Sequence, residues 1–103
     1  MTERIMTRHP AGKQGVRIDK RKYDEMRRVL LGVISAECAG VRFMDLPELV
    51  EDRLSPDVYG PEDGVRWYVT TVKQDLEARG LIAQVPNARP QRLRRTSKPE
   101  RGA

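Results

Sequence analysis

Between Asp63 and Gly80 the apolar residues Val65, Tyr68, Val69, Val72 and Leu76 recur at three- and four-residue steps. At about 100° per residue they fall within a narrow angular range, so the segment reads as a helix with one face that must be buried. Asp63 can cap its start, and Gly80 supplies the residue just past its end. Residues 81–85 follow as a strand, 86–90 as a turn-rich connection, and 91–95 as the returning strand of a hairpin. Neither the helix nor the hairpin is stable alone, so the two must share a core with other elements.

Those other elements lie upstream. Tyr23, Met26, Leu30, Val33 and Ile34 form one stripe behind Asp19, a plausible N-cap, and predict a helix over 20–35. Arg28 falls on its wet side and Arg27 at the border of the stripe. Residues 37–40 break the helix, and 41–43 alternate as a very short strand. A second helix is expected over 44–54, with Leu46, Leu49 and Val50 buried and Pro47 tolerated in the first turn. Residues 55–64 carry two prolines and two glycines and read as a loop.

With 103 residues, 38% of them apolar and 34% charged, the chain supports one domain with a modest core. No apolar run approaches the 18 or so residues of a membrane span, and the start lacks the apolar stretch of a signal peptide. A soluble cytoplasmic protein is expected. The single Cys38 excludes an internal disulfide, and the single His9 excludes most zinc arrangements. Cys38 reads as a small packed residue, Gly12-Lys13 lacks the spacing of a phosphate loop, and the neighbours Asp24/Glu25 and Glu51/Asp52 diverge on a helix. The expectation is a protein without catalytic machinery, metal or cofactor.

Charge is segregated. Residues 1–22 hold seven Lys/Arg and two Asp/Glu, 23–88 hold seven and twelve, and 89–103 hold six and one. An acidic centre thus sits between two basic ends, which suits a polyanionic partner and equally suits solvated tails. The boundaries that follow are a basic segment over 1–18, ordered in part at most, a domain over 19–96, and a disordered tail over 97–103.

The order helix, short strand, helix, helix, strand, strand resembles a winged helix-turn-helix domain. The residues that carry the resemblance are WYVTTVKQDLEARGLI, 67–82, within which LEARGLI, 76–82, is similar to the join between recognition helix and wing in many bacterial regulators. The chain more closely resembles a family of small bacterial proteins of unknown function. That likeness rests on His9-Pro10 through Gly12-Lys13, Lys22-Tyr23-Asp24, Trp67-Tyr68, the VK-DLEARG segment and the basic stretch from Pro90 to Arg94, and spans roughly residues 9 to 95. It implies an α+β winged-helix fold of three helices with a small antiparallel sheet. It also implies that residues 9–22 pack on the domain, an alternative to the partly ordered segment.

In such a fold the third helix offers its outer face to the major groove. The candidate DNA contacts there are Arg66, Thr70, Thr71, Lys73 and Gln74. Arg66 and Lys73 suit phosphate or guanine, Gln74 suits adenine, and the threonines suit phosphate or a thymine methyl. Against this, Glu77 shares the face and Asp75 and Asp63 lie nearby, so the helix reads as roughly neutral. Arg89, Arg92, Arg94 and Arg95 form a basic wing, with Lys98 and Arg101 beyond. The partner expected is double-stranded DNA. The alternative is a protein partner docking on Trp67 and the acidic residues Glu48, Glu51 and Asp52. Trp67, opposite the core stripe, is expected to be covered by the segment around Val16 and Ile18 or by the loop near Tyr59. No additional helix supplies a dimer seam.

Overall fold

A computed structural model describes residues 3–34, 36, 37 and 39–96. It is α+β, with three helices and two small antiparallel sheets. The elements are β1 (Arg4–Met6), β2 (Arg17–Asp19), α1 (Lys20–Val33), β3 (Val41–Arg42), a 3-10 turn (Phe43–Asp45), α2 (Leu46–Glu51), α3 (Val65–Ala78), β4 (Ile82–Gln84) and β5 (Arg92–Arg95). The core gathers the apolar faces of all three helices and of the β3-β5-β4 sheet: Met26, Leu30, Leu46, Val50, Val69, Val72, Leu76 and Leu93 have no exposed surface. Truncating any of the buried Leu or Met side chains among them to Ala would cost about 2–5 kcal/mol.

The helix termini follow local chemistry. Asp19 caps α1 by accepting the Arg21 N–H at 2.8 Å. At the end of α3, Gly80 takes φ +78°, its N–H donates to the Glu77 carbonyl, and Leu81 N–H donates to the Leu76 carbonyl. This pair of bonds is a Schellman ending, which needs a residue free to adopt positive φ. The expected cap at Asp63 is corrected. Gly64 occupies the capping position, and the Asp63 carboxylate instead accepts the Gly60 N–H at 2.8 Å and pairs with Lys22 of α1.

The second helix is shorter than expected. Residues 43–45 form a 3-10 turn and only Leu46–Glu51 is α-helical. Pro56 disfavours helical backbone at Ser55, and the last turn closes early as Arg53 and Leu54 both donate to the Val50 carbonyl. On so short a helix Leu46 and Val50 reach the core, whereas Leu49 stays 41% exposed.

The N-terminal segment forms a hairpin of its own. β1 and β2 pair antiparallel, with Ile5 opposite Ile18, and Ile18 is buried in the core. Thr7 N–H and its hydroxyl both donate to the Val16 carbonyl, at 2.9 and 3.1 Å, and the hydroxyl accepts the Val16 N–H at 3.0 Å. Over residues 3–18 these contacts make an arm packed on the domain. Two apolar residues, Ile5 and Ile18, anchor it although charge dominates its composition. The tail expected over 97–103 lies outside the described residues.

Candidate nucleic-acid interface

α3 crosses the middle of the molecule, and its surroundings sort its polar residues. Val69, Val72 and Leu76 face the core. Asp75 is fully buried on the α1 side, where its carboxylate accepts from the Tyr23 phenol, from Arg79 Nε at 2.8 Å and from the Arg8 backbone N–H at 2.8 Å. Burial, and then the Asp75 carboxylate, push the Tyr23 phenol well above its usual range. The third of these donors ties the N-terminal arm to α3.

On the opposite flank Lys73 and Glu77 form a 2.6 Å ion pair, both side chains nearly excluded from solvent. The Lys73 ammonium lies 4.8 Å from the Phe43 ring centroid, and Glu77 also accepts from Gln84 Nε2 of β4 at 3.0 Å. Lys73, expected on the outer face, is therefore a buried packing cation. Its alkyl stem can cover apolar surface while its charge is satisfied one helical turn away.

What remains outward on α3 is a ridge of Arg66, Trp67, Thr70, Thr71 and Gln74. Arg66 and Trp67 are exposed, and the other three are half-buried. Asp75 and Glu77 are buried in pairs with Arg79 and Lys73, and Asp63 is held by Lys22 while lining one cleft with Arg66. Within α3 itself Arg66 and Lys73 balance Asp75 and Glu77, as expected of a neutral helix. Helical spacing could not reveal the place of Asp75, because Tyr23 and the Arg8 N–H reach it from other elements, whereas Glu77 pairs with Lys73 one turn back on the same helix. Trp67 is 50% exposed rather than covered; its indole packs perpendicular to Tyr68 at 5.0 Å, and Tyr68 likewise to Tyr59 at 5.2 Å.

The wing arginines divide into two pairs. Arg92 Nη1 donates to the Ala39 and Gly40 carbonyls at 3.3 Å, and Arg95 Nε donates to the Ile34 carbonyl at 3.0 Å. These two hold the sheet against the end of α1 and the chain that follows it. Arg89, exposed in the β4–β5 connection, and Arg94, opposite Ala83, make no ion pair among the described residues. Lys98 and Arg101 lie outside the described residues.

The arm adds cations that the candidate set omitted. Arg4, Arg8, Lys13 and Arg17 are exposed and make no ion pair among the described residues. Arg4 and Arg17 share a shallow cleft with Trp67 and Tyr68. The surplus charge of residues 1–22 was the available signal for them, but the pairing of β1 with β2 across an intervening loop was not readable from it.

Glu48, Glu51 and Asp52 are exposed on and just after α2, and Glu48 and Glu51 line a second cleft with Arg66. Met44, 71% exposed, and Leu49 lie on the same short stretch. Among the described residues no group of three or more His, Cys, Asp or Glu side chains could hold a metal ion, and no helix is long and apolar enough to cross a membrane.

Fold and surface define a small α+β protein in which α3 presents an outward ridge, bonded to the basic arm through Asp75 on one flank and to the basic hairpin through Glu77 on the other, with Arg66 at one end sharing a cleft with Glu48, Glu51 and Asp63. The chain belongs to a family described as Family of unknown function (DUF6958), whose model matches residues 4–93. That match takes in the arm as well as the helices and most of the wing. No curated protein and no solved structure matches the chain.

Proposed function

We propose that this chain is a winged helix-turn-helix protein that binds double-stranded DNA, as a small bacterial transcriptional regulator in the cytoplasm. The element order α1, β3, α2, α3, β4, β5 and the sheet order β3-β5-β4 support the winged-helix reading. A fold alone does not assign a function. The observation that carries the proposal is the sorting of charge around α3: its acids are paired within the fold, while cations without ion pairs lie on the arm bonded to one flank of α3 and on the hairpin bonded to the other.

In this reading Thr70, Thr71 and Gln74 face base edges and Arg66 a phosphate. Being half-buried, the threonines and Gln74 reach the groove only if the flanks hold the duplex close. Arg89 and Arg94 of the wing do so on one side and Arg8 and Lys13 of the arm on the other. Arg92 and Arg95 contribute charge while serving the fold, and Lys73 contributes no contact. If about five phosphates are neutralised, the logarithm of affinity falls with the logarithm of salt at a slope of roughly −4 to −5. Anisotropy of a labelled duplex at two salt concentrations tests this. Binding that weakens steeply supports the reading, and no binding at low salt overturns it.

A second reading is favoured by a different face. Met44 and Leu49 expose apolar surface beside Glu48, Glu51 and Asp52, a combination that suits a protein partner with a basic, partly apolar surface, with Trp67 as a further anchor. Neither reading requires catalysis.

A further inference from the structure

We propose that the cleft between Trp67 and the β1–β2 hairpin holds one unpaired nucleotide of a DNA strand, its base against the indole and its phosphates on Arg4 and Arg17. This rests on the nucleic-acid reading and adds a single-stranded subsite to it. The charges lining the cleft are Arg4, Arg17, Asp19 and Lys22. Two of them are committed within the fold: Asp19 caps α1, and Lys22 pairs with Asp63 and lies 5.4 Å from the Tyr68 ring centroid. Arg4 and Arg17 make no ion pair among the described residues.

The hairpin register sets their spacing. Arg4 stands opposite Asp19 and Arg17 opposite Met6, which puts the two arginines on one hairpin face in diagonal positions. Such positions are about 7–8 Å apart, within reach of neighbouring phosphates for side chains as long as arginine. Trp67 supplies a surface of the other kind. It is half exposed, yet the perpendicular contacts from Trp67 to Tyr68 and from Tyr68 to Tyr59 hold it in place, and Tyr59 donates to the Lys22 carbonyl at 2.7 Å. A fixed, open indole beside two cations is the pairing of stacking platform and backbone clamp that recognises a nucleotide whose base has left the helical stack. A base inside an intact duplex offers no face for this contact.

The chain contains one tryptophan, so Trp67 reports on the cleft directly. Three probes of matched length are titrated: a blunt duplex, the same duplex with a three-nucleotide overhang, and the single strand. The expected result is quenching of Trp67 fluorescence by the overhang and single-strand probes, with roughly tenfold preference for overhang over blunt duplex. Trp67→Ala and Arg4→Gln/Arg17→Gln should each abolish that preference, followed by anisotropy, while blunt-duplex affinity changes much less. The arginine variant retains the indole and so remains informative if Trp67→Ala disturbs folding. Equal affinity for overhang and blunt duplex, without quenching, overturns the subsite and leaves duplex binding standing. Binding of the single strand alone supports the subsite and overturns the duplex reading.

Discussion

The Tyr23 phenol on α1 donates a hydrogen bond to the Asp75 carboxylate on α3, and both residues are buried. The same carboxylate receives Arg79 Nε and the Arg8 backbone N–H, so one side chain joins two helices and the N-terminal arm. Removing the phenol leaves the other two donors in place. Tyr23→Phe is therefore expected to cost about 1–3 kcal/mol, as for a hydrogen bond to a charged group. Asp75→Ala strands all three donors and is expected to cost more, about 3–5 kcal/mol. Urea unfolding of both variants checks the order. An Asp75→Ala loss smaller than that of Tyr23→Phe would show that the carboxylate is not the hub.

Tyr23 and Tyr59 are expected to weaken the fold at alkaline pH. Burial is the largest cause holding both phenols protonated above the usual 10.0, with Asp75 adding to it at Tyr23 and the neighbouring Tyr68 and Asp63 at Tyr59. A group whose pKa is raised on folding gives stability that is complete below its unfolded value and lost as pH climbs past it. Stability is thus expected to decline above about pH 10, with Lys22, raised by its bond to Asp63, acting in the same direction. Urea midpoints measured between about pH 8 and 11 should fall less steeply in Tyr23→Phe/Tyr59→Phe than in the parent chain.

Lys73 and Glu77 are expected to behave as one structural unit. Lys73→Ala leaves a nearly buried carboxylate short of its cation, at a cost of about 2–4 kcal/mol. In Lys73→Ala/Glu77→Ala the loss should be smaller than the sum of the single losses, the signature of coupled neighbours. Additive losses, or a Lys73→Ala chain of unchanged stability and reduced DNA affinity, would return Lys73 to the outer face.

Gly15 marks where the arm can be loosened. A Cβ there would stand 1.8 Å from the Thr7 carbonyl oxygen, a backbone atom that cannot swing aside. Gly15→Ala is expected to destabilise the chain by about 1–3 kcal/mol and to speed amide exchange at Thr7 more than at core positions of α1 such as Leu30. Uniform acceleration would mean that the arm and the domain open together.

The two free wing arginines should separate from the two bound ones. Arg89→Gln and Arg94→Gln are expected to keep their stability and to reduce the salt slope of DNA binding by about one each. Arg92→Ala and Arg95→Ala should also lower the unfolding midpoint, because their guanidinium groups hold backbone carbonyls. Thermal melts beside salt titrations distinguish the pairs.

The elements that the sequence displayed well are those whose own residues carry the signal. α3 needed only its stripe and Gly80, and the β4–β5 hairpin only two short strand segments around a turn-rich connection. Lys73, Asp75 and Glu77 were not legible because helical spacing ranks them as surface positions. Their burial depends on Phe43, Gln84, Tyr23 and Arg8, which arrive from other elements. The arm was hidden for a related reason: Ile5 and Ile18 are thirteen positions apart and are joined only by strand register. Trp67 is half exposed, and the segment expected to cover it forms a hairpin whose Arg4, Arg17 and Ile18 line a cleft with the indole.

The most direct test is to map the duplex on the protein by amide chemical shifts in a short blunt DNA titration at low salt. The account predicts perturbations along Thr70, Thr71 and Gln74 and at Arg8, Lys13 and Arg89, with the acidic residues Glu48, Glu51 and Asp52 unmoved. Shifts confined to those acidic residues and Leu49, or none at all, would contradict it.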